Sequence, residues 1–331
     1  MQTTTLGQTG LAVSRVGLGL AALGRPGYIN LGHADDLGRN YDVAAMERHA
    51  HAVLDEAWRL GVRYFDAARS YGDAERFLAS WLTSRNIAPD TATVGSKWGY
   101  TYTAGWKTDA DKHEVKEHTL PVLRRQVAES RQLLGAHLDL YQIHSATLDS
   151  GVLENAEVLQ ELARLRDGGL KIGLTVTGPR QGETIRRALG VVLGGARLFA
   201  SVQATWNLLE PSAGPALQEA HDAGLGVIVK EGLANGRLTS RNTDAAFAAK
   251  RRLLEETAAR HHTMPDALAL AAVLAQPWAD VVLSGAATAE HLRSNLQATQ
   301  VLWDKNAAER LRSLAEPAEL YWNTRGELRW N

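Results

Sequence analysis

Asp66, Tyr71, Lys97 and His144 are the residues of this chain whose types suit proton transfer to a carbonyl oxygen. Each sits at or just beyond the end of an apolar, strand-like run. The runs are Val62-Arg-Tyr-Phe-Asp66, Thr93-Val-Gly-Ser-Lys97 and Leu138-Asp-Leu-Tyr-Gln-Ile-His144, with Tyr71 on the segment that follows the first of them. A phenol with a pKa of about 10 is a poor proton shuttle at neutral pH. A neighbouring ammonium favours the phenolate and should lower that value, a role that falls to Lys97. Asp66 would keep Lys97 charged and oriented, and His144 would donate a hydrogen bond to the substrate oxygen. An acid tuned in this way protonates the alkoxide formed when hydride reaches a carbonyl carbon. No side chain supplies hydride, so a nicotinamide cofactor is implied.

Singly, each residue has an ordinary reading. An aspartate at a strand end often caps a helix, a loop tyrosine is usually packing, and a histidine can be a satisfied core residue. Their joint position at the ends of three consecutive strands is what coincidence explains poorly.

The elements that must position them form an alternating series. Strand-like runs fall at Val13–Leu20, Val62–Asp66, Thr93–Lys97, Leu138–His144, Lys171–Thr175, Phe199–Gln203, Gly226–Lys230 and Asp280–Ser284. Helical patterns lie between them: Asp42 can cap a helix that Gly61 stops, and Thr119 can cap another with Pro121 in its first turn. Strict alternation implies parallel pairing with right-handed crossovers, and eight units fit a closed (β/α)8 barrel, which gathers its strand C-termini on one face. The α/β class, one domain over 1–331 and a short N-terminal β-hairpin plugging the barrel bottom are therefore expected. Two long connections, Ala21–Tyr41 and Trp98–His118, leave the C-terminal face. They carry Tyr28, Trp98, Tyr100 and Trp106 as candidate substrate walls.

Bulk composition narrows the function classes. The 331 residues hold 36 basic and 37 acidic side chains, which does not suit an electrostatic nucleic-acid binder. Lys250-Arg251-Arg252 lies in a helical pattern and reads as a solvated face. The absence of cysteine excludes disulfides, thiol catalysis and cysteine-ligated metal. His49, His51, His261 and His262 match no metalloprotease spacing. The opening residues lack signal-peptide regions and no apolar stretch approaches a bilayer span, so a soluble cytoplasmic protein with no membrane partner is expected. The glycine-rich Val16-Gly-Leu-Gly-Leu-Ala-Ala-Leu-Gly departs from G-x-G-x-x-G, and Pro26 and Gly27 follow at once. A doubly wound dinucleotide fold is disfavoured.

At these residues the chain resembles the aldo-keto reductase superfamily over nearly its full length. The resemblance is carried by Leu6-Gly-Gln-Thr-Gly-Leu-Ala-Val-Ser-Arg-Val-Gly-Leu-Gly, by Tyr64-Phe-Asp-Ala-Ala-Arg-Ser-Tyr-Gly-Asp-Ala-Glu75, by Ser96-Lys97, by the strand ending at His144, and by Ser284-Gly-Ala-Ala-Thr-Ala-Glu-His-Leu-Arg-Ser-Asn295. It implies carbonyl–alcohol interconversion using NADPH, with Asp66, Tyr71, Lys97 and His144 as the catalytic set. It places cofactor contacts at Gly19, Leu20, Thr175, Gln203, Lys230, Gly232, Leu233, Gly285, Ala287, Thr288, His291 and Asn295. The chain departs from the pattern in three places. Thr175-Val176 stands where many members carry Ser-Asn, Lys230 where many stack a tyrosine on the nicotinamide, and Thr288 and His291 where many NADPH users place basic residues. NADP(H) is the family's expectation and NAD(H) its competitor. Some members bind cofactor as regulatory subunits, which is the alternative to an enzyme of small carbonyl or alcohol substrates.

Overall fold

Strand runs alternating with amphipathic helices close, in a computed structural model that describes residues 3–331, into a barrel of parallel strands. A hairpin of β1 (Thr3–Thr5) and β2 (Ala12–Ser14) precedes it. The barrel begins with β3 (Val16–Gly19), β4 (Tyr64–Asp66) and β5 (Thr93–Trp98). An antiparallel pair, β6 (Tyr100–Tyr102) and β7 (Glu114–Lys116), interrupts the series before β8 (Leu138–Ala146) and β9 (Lys171–Val176). The short pair β10 (Val192–Leu193) and β11 (Ala196–Arg197) then leads to β12 (Ser201–Thr205), β13 (Gly226–Lys230) and β14 (Val281–Ser284). Each barrel strand pairs with the next barrel strand in the chain, and β14 closes onto β3. Every run read from the sequence overlaps one barrel strand, and four of the strands, β5, β8, β9 and β12, extend one or two residues beyond the run.

The hairpin does plug the barrel's N-terminal end. Leu6, between β1 and β2, is fully buried in one cluster with Val13, Leu140, Ile228 and Val281. A Cβ at Gly226 would stand 2.4 Å from Leu6 Cγ, so that position has to be bare for the plug to fit.

Strand side chains alternate between the barrel interior and the helical layer. On β4, Phe65 points out and packs its ring 5.3 Å from Trp81 of the helix Ala74–Ser84, whereas Tyr64 and Asp66 point in. On β5, Ser96 points out to Glu75, while Lys97 points in to Asp66. The same alternation that packs the outer layer therefore delivers alternate residues to the C-terminal mouth.

Helix boundaries follow local chemistry. Asp42 accepts the Ala45 N–H at 2.8 Å and caps the helix Val43–Arg59, after which Gly61 adopts a left-handed conformation. Thr119 differs from expectation. It makes no side-chain cap on the helix Leu120–Leu134, because its hydroxyl donates to Glu117 instead. The helix Ala248–Arg260 carries Lys250-Arg251-Arg252, yet only Arg252 stays in solvent. Lys250 pairs with Glu316 at 2.8 Å, because the C-terminal segment packs across that face, and Arg251 donates to the Asn242 carbonyl in the loop before the helix. Among the described residues no helix is long and apolar enough to cross a membrane.

Candidate active site

Asp66 ends β4, in register with Gly19 of β3 and Gly95 of β5. Its buried carboxylate is in direct contact with Lys97 Nζ. It also accepts from Gln203 Nε2 at 3.0 Å, Tyr64 Oη at 3.1 Å and Gln142 Nε2 at 3.4 Å. A buried charge persists only when paired and hydrogen-bonded in this way. Bare neighbours make room for one of those donors: a Cβ at Gly17 or Gly95 would come within 2.7 Å of the Tyr64 side chain. Lys97, wholly buried, also donates to the Ala67 carbonyl at 2.9 Å and to the Tyr71 hydroxyl at 3.4 Å. The His144 ring meets Tyr71 edge-on with centroids 5.5 Å apart, and Tyr100 packs on that imidazole at 4.9 Å.

Electrostatics at Tyr71 and His144 differ from expectation in one respect. Burial raises the Tyr71 phenol well above the usual tyrosine range, the charge of Asp66 adds to this, and Arg25 opposes it. The ammonium of Lys97, in direct contact with Asp66, does not reverse the shift: burial and the Asp66 charge outweigh it at Tyr71. Tyr71 therefore holds its proton firmly. Burial, followed by the charges of Lys97, Lys230 and Arg25, pushes His144 well below the ordinary histidine value, so its ring is a neutral imidazole.

These groups open onto a cavity of about 500 Å³ at the C-terminal mouth. Its wall includes Asp66, Tyr71 and His144, with Gln203 and Lys230 beside them. From there it runs past Gly19, Gly232 and Leu233 to Gly285, Ala287, His291 and Asn295, and Tyr28 closes its other side. Lys97 stands behind Asp66.

Six of the expected residues are placed elsewhere. Trp98 follows Lys97 on β5 and by alternation faces outward, where it is buried against His118. Trp106 packs on Phe77 and donates to the Tyr41 carbonyl. Tyr100 lies behind His144 rather than on the wall. Leu20 is core, its N–H donating to the Asp66 carbonyl. Thr175 uses its hydroxyl to accept the Ser145 N–H at 2.7 Å, and Thr288 caps the helix Ala289–Leu296. Arg293 turns away to pair with Glu56.

The sequence model of the Aldo/keto reductase family matches residues 17–316. This chain belongs to that family. It is similar to an uncharacterized oxidoreductase of Bacillus subtilis, YqkF, at 26% identity over 90% of this chain and 91% of that one. It resembles the D-threo-aldose 1-dehydrogenase of a Pseudomonas species at 29% identity over 48% of this chain and 50% of that protein. The holo form of the Bacillus halodurans aldo-keto reductase AKR11C1 shares the fold, with a TM-score of 0.74 and 21% identity over 96% of this chain and 97% of that one.

This aldo/keto reductase, an oxidoreductase by family, carries site residues that pattern reading passes over. Tyr64 and Gln142 lie two residues before Asp66 and His144, so strand alternation alone could have found them. Arg25 has no such signal. Its guanidinium lies 5.2 Å from the Tyr71 ring and 4.7 Å from the Trp330 ring, and pairs with Glu114 of β7 at 2.9 Å. Glu231 directly follows Lys230, and Arg325 reaches it from the helix Ala318–Gly326 with its Nε 2.9 Å from Oε2. Burial opposes ionisation of Glu231, but Arg325 and Lys230 overcome it and hold the carboxyl down at about 2.

Proposed function

We propose that this protein interconverts an aldehyde or ketone and its alcohol, using a nicotinamide dinucleotide and Tyr71 as the acid/base. The observation that carries the reading is the convergence of the Tyr71 hydroxyl, the Lys97–Asp66 pair and a neutral His144 on one cavity wall. In the reducing direction the Tyr71 O–H donates to the developing alkoxide. The phenolate left behind is met by Lys97 Nζ, already 3.4 Å from that oxygen. His144, uncharged, orients the carbonyl oxygen without competing for the proton.

The cavity suits a dinucleotide. Beyond the proton-transfer groups it is bordered by Gly232 and Gly285, and the Asn235 side-chain oxygen there is buried without a partner. Its far end meets the N-terminus of the helix Ala289–Leu296, where main-chain N–H groups favour a pyrophosphate. When bound, the dinucleotide supplies or accepts the hydride. Among the described residues no cation at the far end is free for an extra phosphate. Arg241 is in contact with Asp36, His291 Nδ1 lies 3.9 Å from the same carboxylate, and Glu290 adds a further negative group. Discrimination against NAD(H) is therefore expected to be weak. Fluorescence titration of both reduced cofactors checks this, and a preference for NADPH above about a hundredfold (about 2.7 kcal/mol) contradicts it.

On the substrate side the wall alternates guanidinium and carboxylate, Arg25 with Glu114 and Arg325 with Glu231, beside the rings of Tyr28 and Trp330. Hydroxyl groups both donate and accept, so such a wall suits a small hydroxylated carbonyl compound. A partial likeness to an aldose dehydrogenase agrees with that class. A nicotinamide-absorbance assay over aldoses, pyridoxal and simple aldehydes and ketones tests the reading. Turnover of hydroxylated members is the expected result, whereas cofactor binding with no turnover of any compound would favour a regulatory subunit.

A further inference from the structure

We propose that Lys230 makes the cavity discriminate by charge between the two redox states of nicotinamide, holding the neutral reduced ring more tightly than the cationic oxidised ring. The inference rests on the dinucleotide reading above. Lys230 ends β13 and faces the barrel interior, in register with Thr205 of β12, to whose hydroxyl its Nζ donates at 2.9 Å. It forms part of the wall between the helix Ala289–Leu296 at one end and Tyr71 at the other.

Any ring that exchanges a hydride with a carbon whose oxygen sits at Tyr71 and His144 has to lie beside that stretch of wall. Lys230's charge is already felt at His144, where it helps to keep the imidazole unprotonated. The charges facing Lys230 leave a net positive site. Glu231 on its own segment is 3.8 Å away, but both carboxylate oxygens also receive Arg325 of the C-terminal helix. On the opposite strands Asp66 and Lys97 cancel one another. Trp322 offers only a ring face, 5.8 Å from Nζ. Burial pulls the Lys230 amine down to about 8, which leaves it mostly protonated at pH 7. Oxidised nicotinamide carries a formal positive charge and the reduced ring none. Like charges brought together out of bulk water repel strongly, so the penalty falls on one redox state alone. In the reducing direction the oxidised product would be released readily.

Equilibrium titrations at pH 7 without substrate, using NAD+ and NADH and separately NADP+ and NADPH, test this in the wild type, Lys230→Met and Lys230→Arg. Methionine should lower the ratio of oxidised to reduced dissociation constants about tenfold (about 1.4 kcal/mol), and arginine should preserve most of it. A lysine that only attracted the pyrophosphate, or only supported the fold, would change both constants equally and leave the ratio alone. An unchanged ratio in Lys230→Met, or an equal loss in Lys230→Arg, overturns the inference while leaving the proposed function intact. If none of the four dinucleotides binds, both are overturned.

Discussion

Replacing Tyr71 with phenylalanine is expected to lower turnover by about 10²–10⁴-fold, the usual contribution of a positioned general acid, while dinucleotide affinity stays within about twofold. The change removes one oxygen and little else. The phenyl ring still fills the space between Arg25, 5.2 Å from its centroid, and the edge of His144. Lys97 keeps its contacts with Asp66 and the Ala67 carbonyl and loses only its longest hydrogen bond, the one at 3.4 Å to the Tyr71 oxygen. A fall in turnover with unchanged thermal stability would therefore report the lost O–H itself. Steady-state rates for the best substrate, with binding of the reduced cofactor as control, decide it. An unchanged rate removes Tyr71 from the proton path. The high proton affinity of Tyr71 adds a directional expectation: the phenol is already protonated for carbonyl reduction, whereas alcohol oxidation requires it to give up its proton first.

The barrel was legible because its strands are short apolar runs separated by helical patterns, and parallel pairing leaves few topologies for such a series. The convergence of Asp66, Tyr71, Lys97 and His144 was legible for a related reason: a polar residue that ends an apolar run stands at the barrel mouth. Alternation then divides neighbours, and it is why Lys97 reaches Asp66 while Trp98 packs on His118. Reading aromatic residues of the long loops by type alone missed that division. What pattern does not encode is pairing between distant loops. Arg25 with Glu114, and Glu231 with Arg325, join segments with no periodic relation. Their charges line one side of the cavity. The sign of the Tyr71 shift was equally hidden, since it depends on how completely Lys97 is engaged by Asp66 and on burial that only the folded chain reveals.

Removing the other half of that engagement tests what the charges are for. Lys97→Met is expected to cost about 3–5 kcal/mol of stability, because it strands a buried carboxylate. Three neutral donors, from Gln203, Tyr64 and Gln142, would still reach Asp66, so the loss should fall within that range rather than exceed it. Adding Asp66→Asn should recover part of the loss, since a buried pair can be replaced by neutral groups more cheaply than it can be halved. Urea unfolding of the two single variants and the double variant measures both effects. A Lys97→Met protein within about 1 kcal/mol of the wild type, a value ordinary for an exposed pair, would show that the carboxylate is not charged in the folded state. Turnover should not follow stability through this series. The double variant regains stability but has no ammonium beside the Tyr71 oxygen and should remain as slow as Lys97→Met. That divergence is the signature of a charge pair retained in the barrel for its chemistry, at a site where an apolar filling would have been the more stable choice.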